Sequence, residues 1–248
     1  MPPSAPRPTA PRQSLDLEID RQPDDATCGP TCLQAVYRYY GDLEALEDVI
    51  AEVPQLETGG TLAANLAIHA LKRGYRALMY TYNLNVFDPT WFHGESCDLI
   101  DKLVEQERAK NDPRLTVATR AYVEYLELGG ELAMVDLTTG LLRQWLQDER
   151  PILTGLSSTY LYSSSREVGV DTLADDDIRG VPTGHFVVLS GWDEEERTVR
   201  IADPAETHPQ FQKHIYWVPV QRLINAILLG VLTYDGNMLV LEPPEDSG

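Results

Sequence analysis

The sequence predicts an α+β protein, with helices gathered early and an antiparallel sheet later. Apolar residues recur at helical spacing after residue 28: Leu33, Val36, Tyr37 and Tyr40 share one face. Two alternating apolar stretches, "GHFVVLSGW" and "TVRIADPA", flank the charged run "DEEER" and read as a hairpin. Helical segments precede strands instead of alternating with them, which separates this pattern from α/β folds.

Each element has its own signal. Pro30 suits a first helical turn, where its missing N–H costs nothing, and Gly41 closes the helix that begins near Cys28. "DLEALEDVIAEV" is a second helix, stopped by Pro54. Thr61 is expected to cap a third, "LAANLAIHALKRG", which Gly74 ends. "YRALMYTY" follows as a strand. Residues 95 to about 130 read as helical, broken near "NDPR", and "TTGLLRQWLQDER" as a short helix. Pro151 introduces the strand "PILTGLSSTY", and residues 163–183 are polar enough for a long loop. After the hairpin come a strand at "HIYWVPV", a helix at "QRLINAILLG" and a final strand at "NMLVLEP". Residues 1–15, with five prolines, and residues 244–248 are expected to be disordered tails.

The bulk numbers narrow the function classes. The chain has 248 residues, 43% of them hydrophobic, enough for a sizeable core. Its 39 acidic and 20 basic side chains leave a net charge of −19, which repels phosphate backbones and disfavours nucleic acid as a partner. Neither a signal peptide nor a membrane span is evident, so a cytoplasmic protein without a membrane partner is expected. Three cysteines do not make a disulfide framework, and reduced thiols are free for chemistry.

Cys28 stands where a polar loop turns into a helix. Unsatisfied N–H groups of a first turn favour a thiolate there. Gly29 leaves room for a substrate backbone, and Gly184, just before His185, is read with it as substrate-binding. Cys32 lies one turn on, and C-x3-C could instead hold zinc. A structural site wants four ligands, and the other tight pair, His93 and Cys97, has the spacing H-x3-C. A small core residue is the stronger reading of Cys32 and Cys97, so no metal and no cofactor are expected.

Of five histidines, His185 has the context of a base. It begins the strand "HFVVLSGW", sharing a face with Val187 and Leu189, while Val199, Ile201 and Asp203 share a face of the returning strand. A turn about Glu195 puts His185 opposite Ala205 and makes Asp203 its diagonal neighbour, about 7 Å away at Cβ. An acid there orients the imidazole and stabilises its cation. His69 reads as a packed core residue, while His93, His208 and His214 lack a helpful context. Tyr160 and Tyr162, read as loop residues, are expected to line a substrate cleft, where aromatics give area with few rotatable bonds.

"Q-x5-C-G-P" leading into a helix, then "GHFVVLSGW", then "ADPA", resembles the bacteriocin-processing, double-glycine-leader cysteine peptidases of the papain-like superfamily. The likeness covers residues 20–41 and 184–205 well and continues weakly to the end. It implies a papain-like fold, N-terminal helices on a C-terminal antiparallel sheet, in one domain over residues 16–243. It makes Cys28 the nucleophile, His185 the base, Asp203 its orienting partner, and Gln22 an oxyanion donor beside the Cys28 backbone N–H. The substrate would be a peptide or other amide. An acyltransferase with the same triad and a non-catalytic peptide-binding module are the alternatives. The region of about 85–135 reads as a helical insertion. Without a membrane span or a Walker sequence, neither bacteriocin export nor a double-glycine substrate is implied.

Overall fold

A computed structural model describes residues 12–57, 59–93, 98–169, 174–205 and 213–244. In chain order the elements begin with β1 (Gln13–Ser14), α1 (Cys28–Tyr39), α2 (Leu46–Glu52), α3 (Ala63–Lys72) and β2 (Arg76–Thr81). Next come α4 (Leu99–Lys110), α5 (Pro113–Glu127), β3 (Glu131–Ala133), α6 (Thr139–Gln147), β4 (Ile152–Ser157) and α7 (Ser158–Tyr162). The chain continues through β5 (Glu167–Val168), β6 (Ala174–Asp175), β7 (Gly184–Asp193), β8 (Thr198–Ala202), β9 (Ile215–Pro219), α8 (Val220–Leu229) and β10 (Asn237–Glu242). This is a mixed α+β architecture around one large sheet, ordered β3-β2-β10-β4-β7-β8-β9, with β1 added beside β7. Among the described residues, only β2 and β3 pair in parallel; every other pairing in the sheet is antiparallel.

Local chemistry explains the boundaries. The break in the helical stretch falls where Asn111 adopts the left-handed region (φ 48°) and Asp112 accepts bonds from the Arg114 and Leu115 N–H groups, with Pro113 at the first helical position. Asp98 caps α4 in the same way. Gly41 and Gly74, at φ +85° and +87°, turn the chain out of α1 and α3. Thr61 does not cap α3. Its hydroxyl donates to the Pro54 carbonyl (2.7 Å) and accepts from Asn65, and the cap position is Leu62.

Three other expectations change. β4 is shorter than the "PILTGLSSTY" strand, because the chain turns into α7 after Ser157, whose hydroxyl accepts from the Tyr160 N–H. The 163–183 stretch contains a small ribbon, β5 against β6, rather than loop alone. Residues 13–15, expected to be tail, belong to the fold: Gln13 pairs with Trp192, Ser14 pairs with Gly191, and Leu15 is buried. Gly191 permits that approach, since a Cβ there would meet the Gln13 carbonyl at 2.7 Å. Residues 1–11 and 245–248 lie outside the described residues.

Helix α1 is buried from Cys28 through Tyr37, on all sides and not on one stripe, so it is a core helix. It packs against β7, β4, α2 and α3. That placement holds the start of α1 against the strand that carries His185.

Candidate active site

The β7–β8 hairpin carries His185 near the start of β7, and Asp203 directly follows β8. Val188 pairs with Ala202 and Leu189 with Ile201, before a bulge shifts the register to Gly191 against Arg200. Below the bulge the pairing is that of a turn about Glu195, and its extension sets position 185 opposite 205. Asp203 is then diagonal to His185, and His185 Nε2 lies 2.9 Å from Asp203 Oδ1. After Asp203, Cys28 at the start of α1 is the second residue whose charge acts on the imidazole. With Nε2 held by Asp203, Nδ1 is the ring nitrogen that remains for another partner. Cys28 and His185 are each 8% exposed, and Asp203 is fully buried.

Asp203 is held by donors alone. The Ala205 N–H reaches Oδ1 at 3.0 Å, and the Tyr162 hydroxyl reaches Oδ2 at 2.7 Å. The Tyr216 hydroxyl also donates to Oδ2. Burial alone would push this carboxyl up. His185 and the two phenols outweigh it and hold the group well below the usual carboxylate range. Burial opposes a charge on His185 too, but Asp203 and Cys28 prevail and push the ring up to about 10. Burial, reinforced by the adjacent carboxylate, pushes both phenols up, so they stay protonated donors.

Gln22 reaches the same corner by another route. Its backbone N–H donates to the Pro204 carbonyl (2.9 Å), next to the acid. Its Nε2 donates to the Asp24 carbonyl (2.7 Å), and its buried Oε1 finds no partner among the described residues. An amide nitrogen has two N–H groups, so one remains available.

The remaining assigned positions are differently placed. A Cβ on Gly29 would meet the Thr61 methyl at 2.8 Å and Leu66 at 3.2 Å, so this glycine admits α3 rather than a substrate. Gly29→Ala is therefore expected to cost about 1–3 kcal/mol by overpacking, measured by urea unfolding. A Cβ on Gly184 would fall 1.9 Å from the Asp235 carboxylate and 2.6 Å from the Thr233 hydroxyl, so that space is already filled. Tyr160 and Tyr162 stand two apart on a helix and so face different ways. Tyr162 is buried beside His185, ring centroids 6.2 Å apart, with its hydroxyl on Asp203 instead of a substrate. Tyr160 is 39% exposed, under the Arg222 guanidinium and bonded to Asn225.

Two contributors escaped the sequence reading. Tyr216 and His214 come from β9 and the segment before it. His214 Nδ1–H donates to the Asp203 carbonyl (2.9 Å), and its own carbonyl accepts the Asp203 N–H (2.8 Å). Since Ile201 pairs with Tyr216, position 203 falls opposite 214, and strand alternation in "HIYWV" was the available signal. His69 is a core residue, between the Tyr37 hydroxyl (2.8 Å) and Glu52 (3.1 Å). Cys32 is fully buried with its thiol on the Phe186 carbonyl (3.3 Å). Cys97 and His208 lie outside the described residues. Among the described residues no group of three His, Cys, Asp or Glu side chains could hold a metal ion, and no helix is long and apolar enough to cross a membrane.

Among solved structures, a protein described as a C39-like peptidase from Bacillus anthracis matches 96% of this chain and 100% of its own length, at 14% identity and a TM-score of 0.52. The chain has the fold of a C39-like peptidase. More distant likenesses are a double-glycine motif protease from an AMS/PCAT transporter, solved with its leader peptide, and the peptidase domain of Streptococcus ComA. The first covers 93% of this chain and 94% of its own, at 15% identity and a TM-score of 0.45. The second covers 92% and 98%, at 15% identity and a TM-score of 0.44. No family model and no curated protein sequence matches the chain. The C39-like fold is thus shared at 14% sequence identity.

Proposed function

We propose that this C39-like chain is a thiol hydrolase that cleaves a peptide or other amide bond. The reading is supported by the His185–Asp203 pair, Nε2 to Oδ1 at 2.9 Å, and by Cys28 as a further electrostatic neighbour of the imidazole. A pure binding module needs no such grouping.

The Cys28 sulfur attacks the carbonyl carbon, forming a C–S bond and placing negative charge on the oxygen. The free N–H of Gln22 and the Cys28 backbone N–H are the proposed donors to that oxygen; one such donor is typically worth about 3 kcal/mol. His185 gives its proton to the leaving amine as the C–N bond breaks. Water then attacks the thioester, His185 accepts its proton, and the acid leaves as sulfur is regenerated. Asp203, charged and surrounded by donors, keeps the ring oriented and favours its cation. The net charge of −19 favours neutral or cationic peptides over acidic ones. Residues of about 85–135, which include α4 and α5, are proposed as an addition to a smaller peptidase core.

Native labelling with iodoacetamide, followed by peptide mapping, tests the nucleophile. Cys28 is expected to be modified selectively, and a peptide library to be cleaved until it is. Modification of Cys32 or Cys97 with Cys28 inert would remove the basis of the reading.

A further inference from the structure

Behind His185 lies a second carboxylate that the hydrolytic reading does not use. Asp235 precedes β10 and is 9% exposed. Two glycines make its place. A Cβ on Gly155 would fall 2.4 Å from the Asp235 carbonyl and 2.8 Å from its Cβ, and a Cβ on Gly184 would overlap its Oδ2. The backbone fixes it further: the Asp235 N–H donates to the Gly230 carbonyl (2.9 Å), and the Asn237 N–H donates to the Asp235 carbonyl. Gly184 and His185 are adjacent on β7, so the carboxylate sits against the opposite face of the strand from the imidazole.

We propose that Asp235 is a positioning residue of the candidate site, its charge acting through the β7 strand to help His185 hold its second proton. The proposal rests on His185 being the proton carrier of the hydrolytic reading. A chain that needed only to fill this space would place an apolar side chain there, because a buried carboxylate is costly. Among the described residues, the Thr233 hydroxyl from the preceding turn and Tyr122 from α5 act on Asp235, and His185 acts on it across the β7 strand. Burial pushes the Asp235 carboxyl up to about 7, against the pull of Thr233 and His185. Its charge therefore turns on near neutrality. Above that pH a carboxylate makes the imidazolium easier to keep, and below it the neutral acid withdraws that help.

The test follows the His185 ring by NMR across pH in histidine-labelled protein, with its signal assigned by its loss in His185→Gln. The wild type is expected to show a second inflection near pH 7 on the His185 curve. Asp235→Asn, almost the same shape, should remove that inflection and lower the His185 midpoint by about half to one unit. Asp235→Ser is the second variant, keeping a small polar group, and should do the same. A wild-type curve with a single inflection, or midpoints unchanged in the folded variants, overturns the proposal; a merely structural Asp235 would leave them unchanged. Iodoacetamide labelling of the same samples separates the two readings. Loss of Cys28 labelling in the wild type would sink the hydrolase, whereas unchanged midpoints with Cys28 labelled sink only the role of Asp235.

Discussion

Cys28→Ala is expected to lower cleavage of a peptide library by roughly 10⁵-fold or more, to the level that oriented donors alone supply. The size follows from the absence of a substitute. Cys32 is one turn away but fully buried, and its thiol is spent on the Phe186 carbonyl. Burial, then the nearby Cys28 and Asp203, push that thiol well up, so it offers little thiolate at neutral pH. Cys28 instead opens α1 at the ring of His185, with a small part of its surface reachable. Cys28→Ser keeps a nucleophilic atom of similar placement, yet a hydroxyl needs far more help to ionise, so it should also fall by several orders of magnitude. The measurement is the initial rate at fixed enzyme concentration, with circular dichroism showing that both variants are folded. A Cys28→Ala enzyme that keeps even a tenth of wild-type activity would exclude the covalent route.

What the residues alone disclosed, and what they hid, follows from the range of each signal. The His185–Asp203 relation was legible because it depends on strand alternation and one turn, both local. The bulge at Leu189/Gly191 lies between the turn and these residues, and its one-residue shift is what brings the pairing into the register of a turn about Glu195. The tyrosines lie on α7 and not in a loop for a reason equally local. "SSTY" carries no apolar periodicity, and only the Ser157 hydroxyl, by capping α7, marks the turn into a helix there. That turn converts Tyr162 from a cleft residue into a clamp on Asp203. Gly29 and Gly184 show a different limit. A glycine reports that something comes close, and the sequence cannot say whether it is a ligand or another part of the chain; here it is Thr61 in one case and Asp235 in the other. Tyr216 and His214 were hidden because β9 meets Asp203 only through its pairing with β8.

The clamp leads to the second large effect. Asp203→Ala should reduce cleavage by about 10³- to 10⁴-fold and destabilise the fold by about 3–5 kcal/mol, whereas Asp203→Asn should cost a similar share of cleavage but markedly less stability. Alanine leaves the Tyr162 and Tyr216 hydroxyls, the Ala205 N–H and the His185 ring with no acceptor in a buried space. Asparagine can keep one oxygen toward His185 and Ala205. Its NH₂ then faces the two phenols, which can rotate their protons and accept, as a backbone N–H cannot. The charge is lost, but the ring stays oriented. The pH dependence of stability separates charge from shape. Asp203 is depressed in the folded state, so its contribution is present above the unfolded value of about 3.9 and is lost as pH falls. His185 is raised, so its contribution is complete below about 6.5 and is lost as pH climbs toward about 10. The pair thus stabilises most between roughly pH 4 and 6.5. Urea unfolding of the wild type should show that dome, and both Asp203 variants should flatten it. An Asp203→Asn protein with the wild-type dome intact would mean that the ion pair is not the source, and that hydrogen-bond geometry alone holds the imidazole.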